Sequence, residues 1–344
     1  MRDLSAFANA DGGLLVFGVE EERTADGKPT GIPKGIVGCQ ISNPDSTILS
    51  IEQMVKDGID ERLPALDIAH ISYAVGNEII LIRIPASVRA PHMVTLGGDR
   101  RFYMRHNRGK QEMSTSEIRD AVNRTETFEE RTLSFARDRV ARCRQKGVKG
   151  PMLLMHVIPL SRNRSALDLT RPETTNRLIQ IGGGHVNNFH HCNEGFKTYS
   201  ENLGQRAHAI TFRSGTVELM DQYPFRVHNG RPIFAFSAFD KNIFQTFEAV
   251  LGLYRDGLVQ LPAVVSIGLY GVEGYGMPGE RSIVQPRPPL EEDEIVTEPI
   301  ILSALPDHPK AALRPALDAI WNAFGFPKCE GFDSAGRYVG YHGS

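Results

Sequence analysis

Apolar positions three and four apart open the chain. Leu4, Phe7 and Ala8 share one helical face over residues 2–9, and Asp11-Gly12-Gly13 stops the helix with a glycine turn. The unbroken run Leu14 to Val19 then predicts a buried strand, and the Gly- and Pro-containing segment 20–38 a loop or hairpin connection. Ile48, Ile51, Val55 and Ile59 recur at helical spacing, so a helix is expected from Ser46 to Arg62, closed by Pro64. Ile68 to Tyr73 and Glu78 to Ile84 read as antiparallel strands around Gly76-Asn77. A further hairpin is expected around Gly97-Gly98-Asp99, with Arg101 to Arg105 as its second strand. Ser114 and Glu117 have capping-box spacing and open a helix through Ile118, Ala121 and Val122. The charged segment 126–146 continues as a helix leading outward.

After Gly147 to Pro151 the pattern changes. Met152 to Ile158 is an apolar strand, and Ala209 to Phe212 with Thr216 to Leu219 forms a hairpin around Ser214-Gly215. Lys241 to Arg255 is an amphipathic helix ended by Gly257, and Leu261 to Tyr270 another apolar strand. Residues 277–299, rich in proline and acid, read as an exposed loop, and Pro309 to Phe324 as a final helix. The expected organisation is α+β: a mixed α/β domain over 1–125, a charged helical connector over 126–149, and a second α+β domain over 150–344.

With 344 residues, the chain exceeds what one core usually serves. A formal charge of -2 excludes a global basic field, so a polyanionic partner would need a local patch. The scattered cysteines Cys39, Cys143, Cys192 and Cys329 form no CxxC pair, which fits a reducing compartment and argues against a thiolate zinc site. No run reaches the roughly 20 apolar residues of a membrane span, and Met1 to Asn9 lacks a signal-peptide core. A cytoplasmic protein without a membrane role is expected. Motifs for P-loop nucleotide hydrolysis, GxSxG hydrolases and HExxH zincins are absent from the sequence.

Ser5-Ala-Phe-Ala-Asn-Ala-Asp-Gly-Gly-Leu-Leu-Val-Phe-Gly-Val19 resembles the "AFANxxGGxLxxGV" signature of the Schlafen-type AlbA domain. Gly35-Ile-Val-Gly38, the apolar strand Ile79 to Pro85, Pro91-His92 with Phe102-Tyr-Met-Arg105, and Met113 to Ile118 resemble its later features in the same order. Together they cover about a third of the chain. The resemblance implies a small α/β module that handles nucleic acid, as in bacterial DNA-binding proteins and animal Schlafens. It also implies a strand, most of a helix and an acidic "ExxxxEF" segment ahead of the signature. Only four residues precede Ser5, so a shortened start is expected.

The candidate nucleic-acid contacts are Arg100, Arg101, Tyr103, Arg105, His106, Arg108 and Lys110. Residues 100–110 hold five Lys/Arg and no acid, and strand alternation puts Arg101, Tyr103 and Arg105 on one face. Guanidinium groups match phosphate oxygens and an aromatic ring can stack on a base. Charge alone favours a solvated hairpin whose arginines keep the edge soluble; the resemblance reverses that and favours DNA or RNA as partner. Glu20 and Glu21 occupy the place where nuclease Schlafens hold an acidic residue. The resemblance therefore carries a second reading: an endoribonuclease with Glu20 and Glu21 as catalytic groups and Glu21 as ligand to Mg or Mn. Without the upstream acids, two glutamates starting a solvent loop is the simpler account. A third reading is an assembly module or homo-oligomer using the acidic segment 289–294. Regulation and phage defence are settings the resemblance implies. His185, His190, His191 and Cys192 contain metal-binding side chains at a spacing that matches no familiar site. Trp321 and Phe324 read as core anchors.

Overall fold

The computed structural model describes every residue except 64–65, 107–108, 161–166, 183–187, 203–204, 277–287 and 342–344. Helices mix with antiparallel strands throughout, an α+β fold. The chain divides into two compact units, Met1–Phe128 and Glu129–Ser344.

The first unit begins with α1 (Arg2–Ala8), β1 (Gly13–Phe17), and a separate hairpin of β2 (Val19–Arg23) and β3 (Pro29–Ile36). β4 (Cys39–Gln40), α2 (Pro44–Gly58), β5 (Ile59–Asp60), β6 (Asp67–Ala74) and β7 (Asn77–Ile84) follow. β7 is the central strand, paired with β6 on one edge and with β1 and β4 on the other. Its alternate residues Ile80, Ile82 and Ile84 meet Leu4 and Ala8 of α1 and Val55 of α2, because a strand shows every second side chain to one layer. β8 (Met93–Val94), a 3-10 turn at Leu96–Gly98, β9 (Arg101–His106) and β10 (Gly109–Glu112) build a second sheet in the order β10-β9-β8-β5.

Two expectations change here. The Leu14 to Val19 run is not one buried strand. Gly18 breaks it at a φ of +98°, and β1, paired only with β7 among the described residues, leaves Leu14 53% exposed. An edge strand with helices over one face buries only alternate residues, which here leaves Leu15 in the core. The helix expected from Ser46 instead starts at Pro44, where the Asn43 side chain accepts the Ser46 N–H at 3.0 Å. It ends at Gly58, since Ile59 turns extended to pair with Val94.

The capping box forms as read: Ser114 N–H donates to Glu117 Oε2 at 2.8 Å, and Glu117 N–H to Ser114 Oγ at 3.3 Å. The helix it opens, α3 (Thr115–Gln145), runs on through the charged segment as one element that begins in the first unit and ends in the second.

The second unit contains β11 (Met152–Pro159), α4 (Pro172–Ile179), β12 (Asn188–His191), β13 (Gly195–Asn202), β14 (Gln205–Phe212) and β15 (Val217–Asp221). It continues with the hairpin β16 (Phe225–His228) and β17 (Arg231–Phe234), α5 (Phe236–Arg255) and β18 (Ala263–Tyr270). β19 (Glu294–Val296), β20 (Ile300–Leu302), α6 (Pro309–Ala312) and α7 (Arg314–Ala323) complete it. The main sheet is antiparallel, in the order β12-β13-β14-β15-β11-β18, with β19 and β20 both on the outer edge of β18. One face carries the large core, in which Phe239, Ile243 and Phe247 of α5 meet Leu153, Met155 and Val157 of β11, and Trp321 and Phe324 are buried as read. The single helix expected from Pro309 to Phe324 is two, with Leu313 between them.

The opposite face meets the last turns of α3. Cys143 and Val140 pack on Met152, Leu154, Met220 and Tyr270. Beside them Arg139, 4% exposed, donates from Nε to Glu218 Oε2 at 2.5 Å and from a terminal nitrogen to Glu218 Oε1 at 2.9 Å. Arg139 also pairs with Glu194, which Lys146 reaches at 2.7 Å. His156 Nε2 lies 3.0 Å and His208 Nε2 3.4 Å from the Glu218 carboxylate. Burial opposes the Glu194 charge, but Arg139 and Lys146 outweigh it and hold its pKa at about 2.

In α5, Asp240 Oδ2 accepts the hydroxyls of Tyr338, at 2.8 Å, and Tyr341. Burial outweighs both bonds and pushes its pKa up to about 6 from an ordinary 3.8. Between these values the native state keeps a proton that the unfolded state releases. Its contribution is therefore present at low pH and lost as pH rises through about 6. Relative to Asp240→Asn, the wild type should lose up to about 3 kcal/mol between pH 4 and 7, read from urea unfolding at each pH. A difference that stays constant across that range would remove the buried carboxylate as its cause.

Candidate nucleic-acid interface

β9 places Arg101, Tyr103 and Arg105 on one face, while Phe102 and Met104 turn to Met113, Ile118 and Ala121 on the other. The first face is partly covered by α1. Tyr103 packs with Ala6 and Val94, lies under the Arg2 guanidinium at 5.5 Å, and is 7% exposed. Its ring, expected open for base stacking, is instead a support: the hydroxyl donates to Asp99 Oδ2 at 3.0 Å. Burial, then the Asp99 bond, raises the tyrosine pKa. Burial works against the Asp99 carboxylate too, but Arg2 and Tyr103 overcome it and hold its pKa below the usual range.

The cations themselves stay at the surface. Arg101 is 58% exposed at its side chain and reaches Glu112 at 3.1 Å and Asp99 at 3.8 Å. Arg105 lies 3.8 Å from Asp3 and 4.9 Å over the Phe7 ring, and Lys110 meets the same Asp3 at 2.6 Å. His106 Nε2 is 3.3 Å from Glu117, a carboxylate whose pKa the Ser114 N–H and hydroxyl depress. Arg100 is exposed and makes no ion pair among the described residues. Arg108 lies outside the described residues.

The signature residues form the frame beneath this edge. Asn9, 1% exposed, donates to the carbonyls of His92 at 3.0 Å and Tyr103 at 2.8 Å, and accepts the His92 N–H at 2.7 Å. Ser5 Oγ donates to the same His92 carbonyl at 2.8 Å. Together they fasten α1 to β9 and the segment before β8. At Gly13 a Cβ would stand 2.3 Å from the Phe7 ring, so only glycine lets β1 approach α1 this closely.

Glu20 and Glu21 lie on the exposed β2–β3 hairpin. Glu20 pairs with Lys34 at 3.3 Å, and Glu21 Oε1 accepts the Gly31 N–H. Among the described residues neither belongs to a converging group of metal-ligating side chains. Mg or Mn is held by one or two carboxylates that converge on it, whereas Glu20 and Glu21 are each engaged by a different partner and converge on no common point, so they do not fit that site as they stand. His190 and His191 turn to opposite faces of β12, against Tyr199 and Phe196, and His185 lies outside the described residues.

Residues 1–114 match the family model described as Schlafen, AlbA_2. The N-terminal region is a Schlafen-type AlbA domain. No curated protein and no solved structure matches the chain. The AlbA family points to a nucleic-acid-related function, and no helix among the described residues is long and apolar enough to cross a membrane.

Sequence reasoning found the AlbA domain's cations but missed their acidic partners, because Asp3 and Glu112 lie outside the 100–110 window. Exposed pairs of this kind contribute about 0.2–1 kcal/mol each, so a phosphate can replace the carboxylate. Asp3→Asn with Glu112→Gln should therefore strengthen oligonucleotide binding by about 2- to 10-fold in an anisotropy titration. Weaker binding by the double variant would mean that the acids assist the interface.

Proposed function

We propose that the AlbA domain binds DNA or RNA through the β9–β10 edge, using Arg100, Arg101, Arg105, His106 and Lys110. The observation that carries the reading is the set of solvent-exposed guanidinium groups on one short antiparallel pair, braced by buried contacts of Tyr103 and Asn9. Bidentate guanidinium–phosphate bonds hold a backbone without reading sequence. Tyr103 supports the edge through Asp99 and Arg2 rather than stacking on a base.

Fluorescence anisotropy with single-stranded and duplex DNA and RNA tests this. At about 1 kcal/mol per lost phosphate contact, the triple variant Arg100→Ala, Arg101→Ala, Arg105→Ala should bind roughly 100-fold more weakly. Arg83→Ala, an exposed arginine on β7 paired with Asp67, serves as control and should bind as wild type. Equal affinity of wild type and triple variant would remove the edge from the interface.

A further inference from the structure

We propose that Cys143, His208 and Glu218 of the second unit form a binding site for a thiophilic divalent cation of the zinc type. The three side chains come from α3, β14 and β15, and their ligand atoms lie within 4.8 Å of one another. Bond lengths of about 2.0–2.3 Å place neighbouring ligands of a tetrahedral zinc roughly 3–4 Å apart. His208 Nε2 and Glu218 Oε1 already stand 3.4 Å apart, inside that range, and no pair in the group is more than 4.8 Å apart.

The surroundings supply the outer contacts such a site needs. Glu218 is fully buried and stands directly across from His156 in the β11–β15 register. His156 Nε2 and Arg139 Nε both meet Glu218 Oε2, while Oε1 accepts a second Arg139 N–H at 2.9 Å and faces His208 at 3.4 Å, so the carboxylate is held in one orientation. Binding would displace the Cys143 proton to solvent, and the resulting thiolate with the Glu218 carboxylate matches a divalent charge. Arg139, which would otherwise oppose a cation, has Glu194 as a second counterion. A soft thiolate with an imidazole and one carboxylate selects zinc-like ions over magnesium or calcium. Three protein ligands leave the fourth position to water or another donor.

The assembly was not legible as spacing. Cys143 lies 65 residues before His208 and 75 before Glu218, and only the β14–β15 hairpin and the last turns of α3 bring them together.

Cobalt(II) titrated into the chelator-stripped full chain tests the site through its sulfur-to-cobalt charge-transfer absorption. One cobalt per chain should bind with that band. Cys143→Ser should abolish it, and His208→Gln should weaken binding by more than the roughly 10–100-fold that outer-contact replacements cost. Cys192→Ser, beside His190 and His191, should keep both band and affinity. A wild type without the band, a band surviving Cys143→Ser, or loss in Cys192→Ser instead would each overturn the proposal. If Cys143→Ser fails to fold by circular dichroism, His208→Gln decides, and unchanged cobalt affinity overturns it.

Discussion

Replacing Glu218 by leucine should destabilise the second unit by about 3–5 kcal/mol, measured by urea unfolding in the presence of a chelator. The cost comes from the partner left behind. Arg139 remains 4% exposed at its side chain, with Glu194 as its one remaining carboxylate among the described residues. His156 and His208 lose their shared acceptor as well. An intact buried pair contributes less than this figure suggests, since desolvation offsets most of its attraction. The double variant Arg139→Met, Glu218→Leu should therefore recover much of the loss, because it removes both charges and keeps apolar volume between α3 and the sheet. A single variant within 1 kcal/mol of wild type would show that the buried charge does not fasten this helix.

Asn9→Ala should cost the first unit about 3 kcal/mol, the second-largest effect expected. Alanine keeps the helix but leaves the His92 N–H and the Tyr103 carbonyl without the partner Asn9 gave them at 2.7 and 2.8 Å. Each orphaned buried backbone group costs about 1–3 kcal/mol, and among the described residues the His92 carbonyl keeps only Ser5. Hydrogen exchange at the His92 amide should quicken in step with the lost stability. An unaltered exchange rate and urea midpoint would reduce the signature asparagine to a bystander.

The fold was legible where periodicity meets one covered face. The β6–β7 pair and the Ser114 cap follow from alternating Ile80, Ile82 and Ile84 and from a four-residue pattern. β1 was misread because four apolar residues in a row cannot show that only one face is covered. The opposite error hid the second unit's buried charges: β11 is covered on both faces, so its apolar run masked His156, the lone ionisable residue in Met152–Ile158. Glu218 within Val217–Met220 gave the same unused signal, a charge embedded in an apolar strand. At the candidate interface the cations were readable from composition, but the burial of Tyr103 was not, since α1 reaches it from about a hundred residues away in the chain.

Electrostatic capture of a nucleic-acid backbone by the β9–β10 edge, as proposed, makes binding depend steeply on salt. With about five phosphate contacts, the logarithm of the association constant should fall against the logarithm of salt concentration with a slope near -4. The Arg100, Arg101, Arg105 triple alanine variant should flatten that slope by roughly 2 to 3. A near-zero slope in the wild type, or the same slope in both proteins, would contradict binding through this edge.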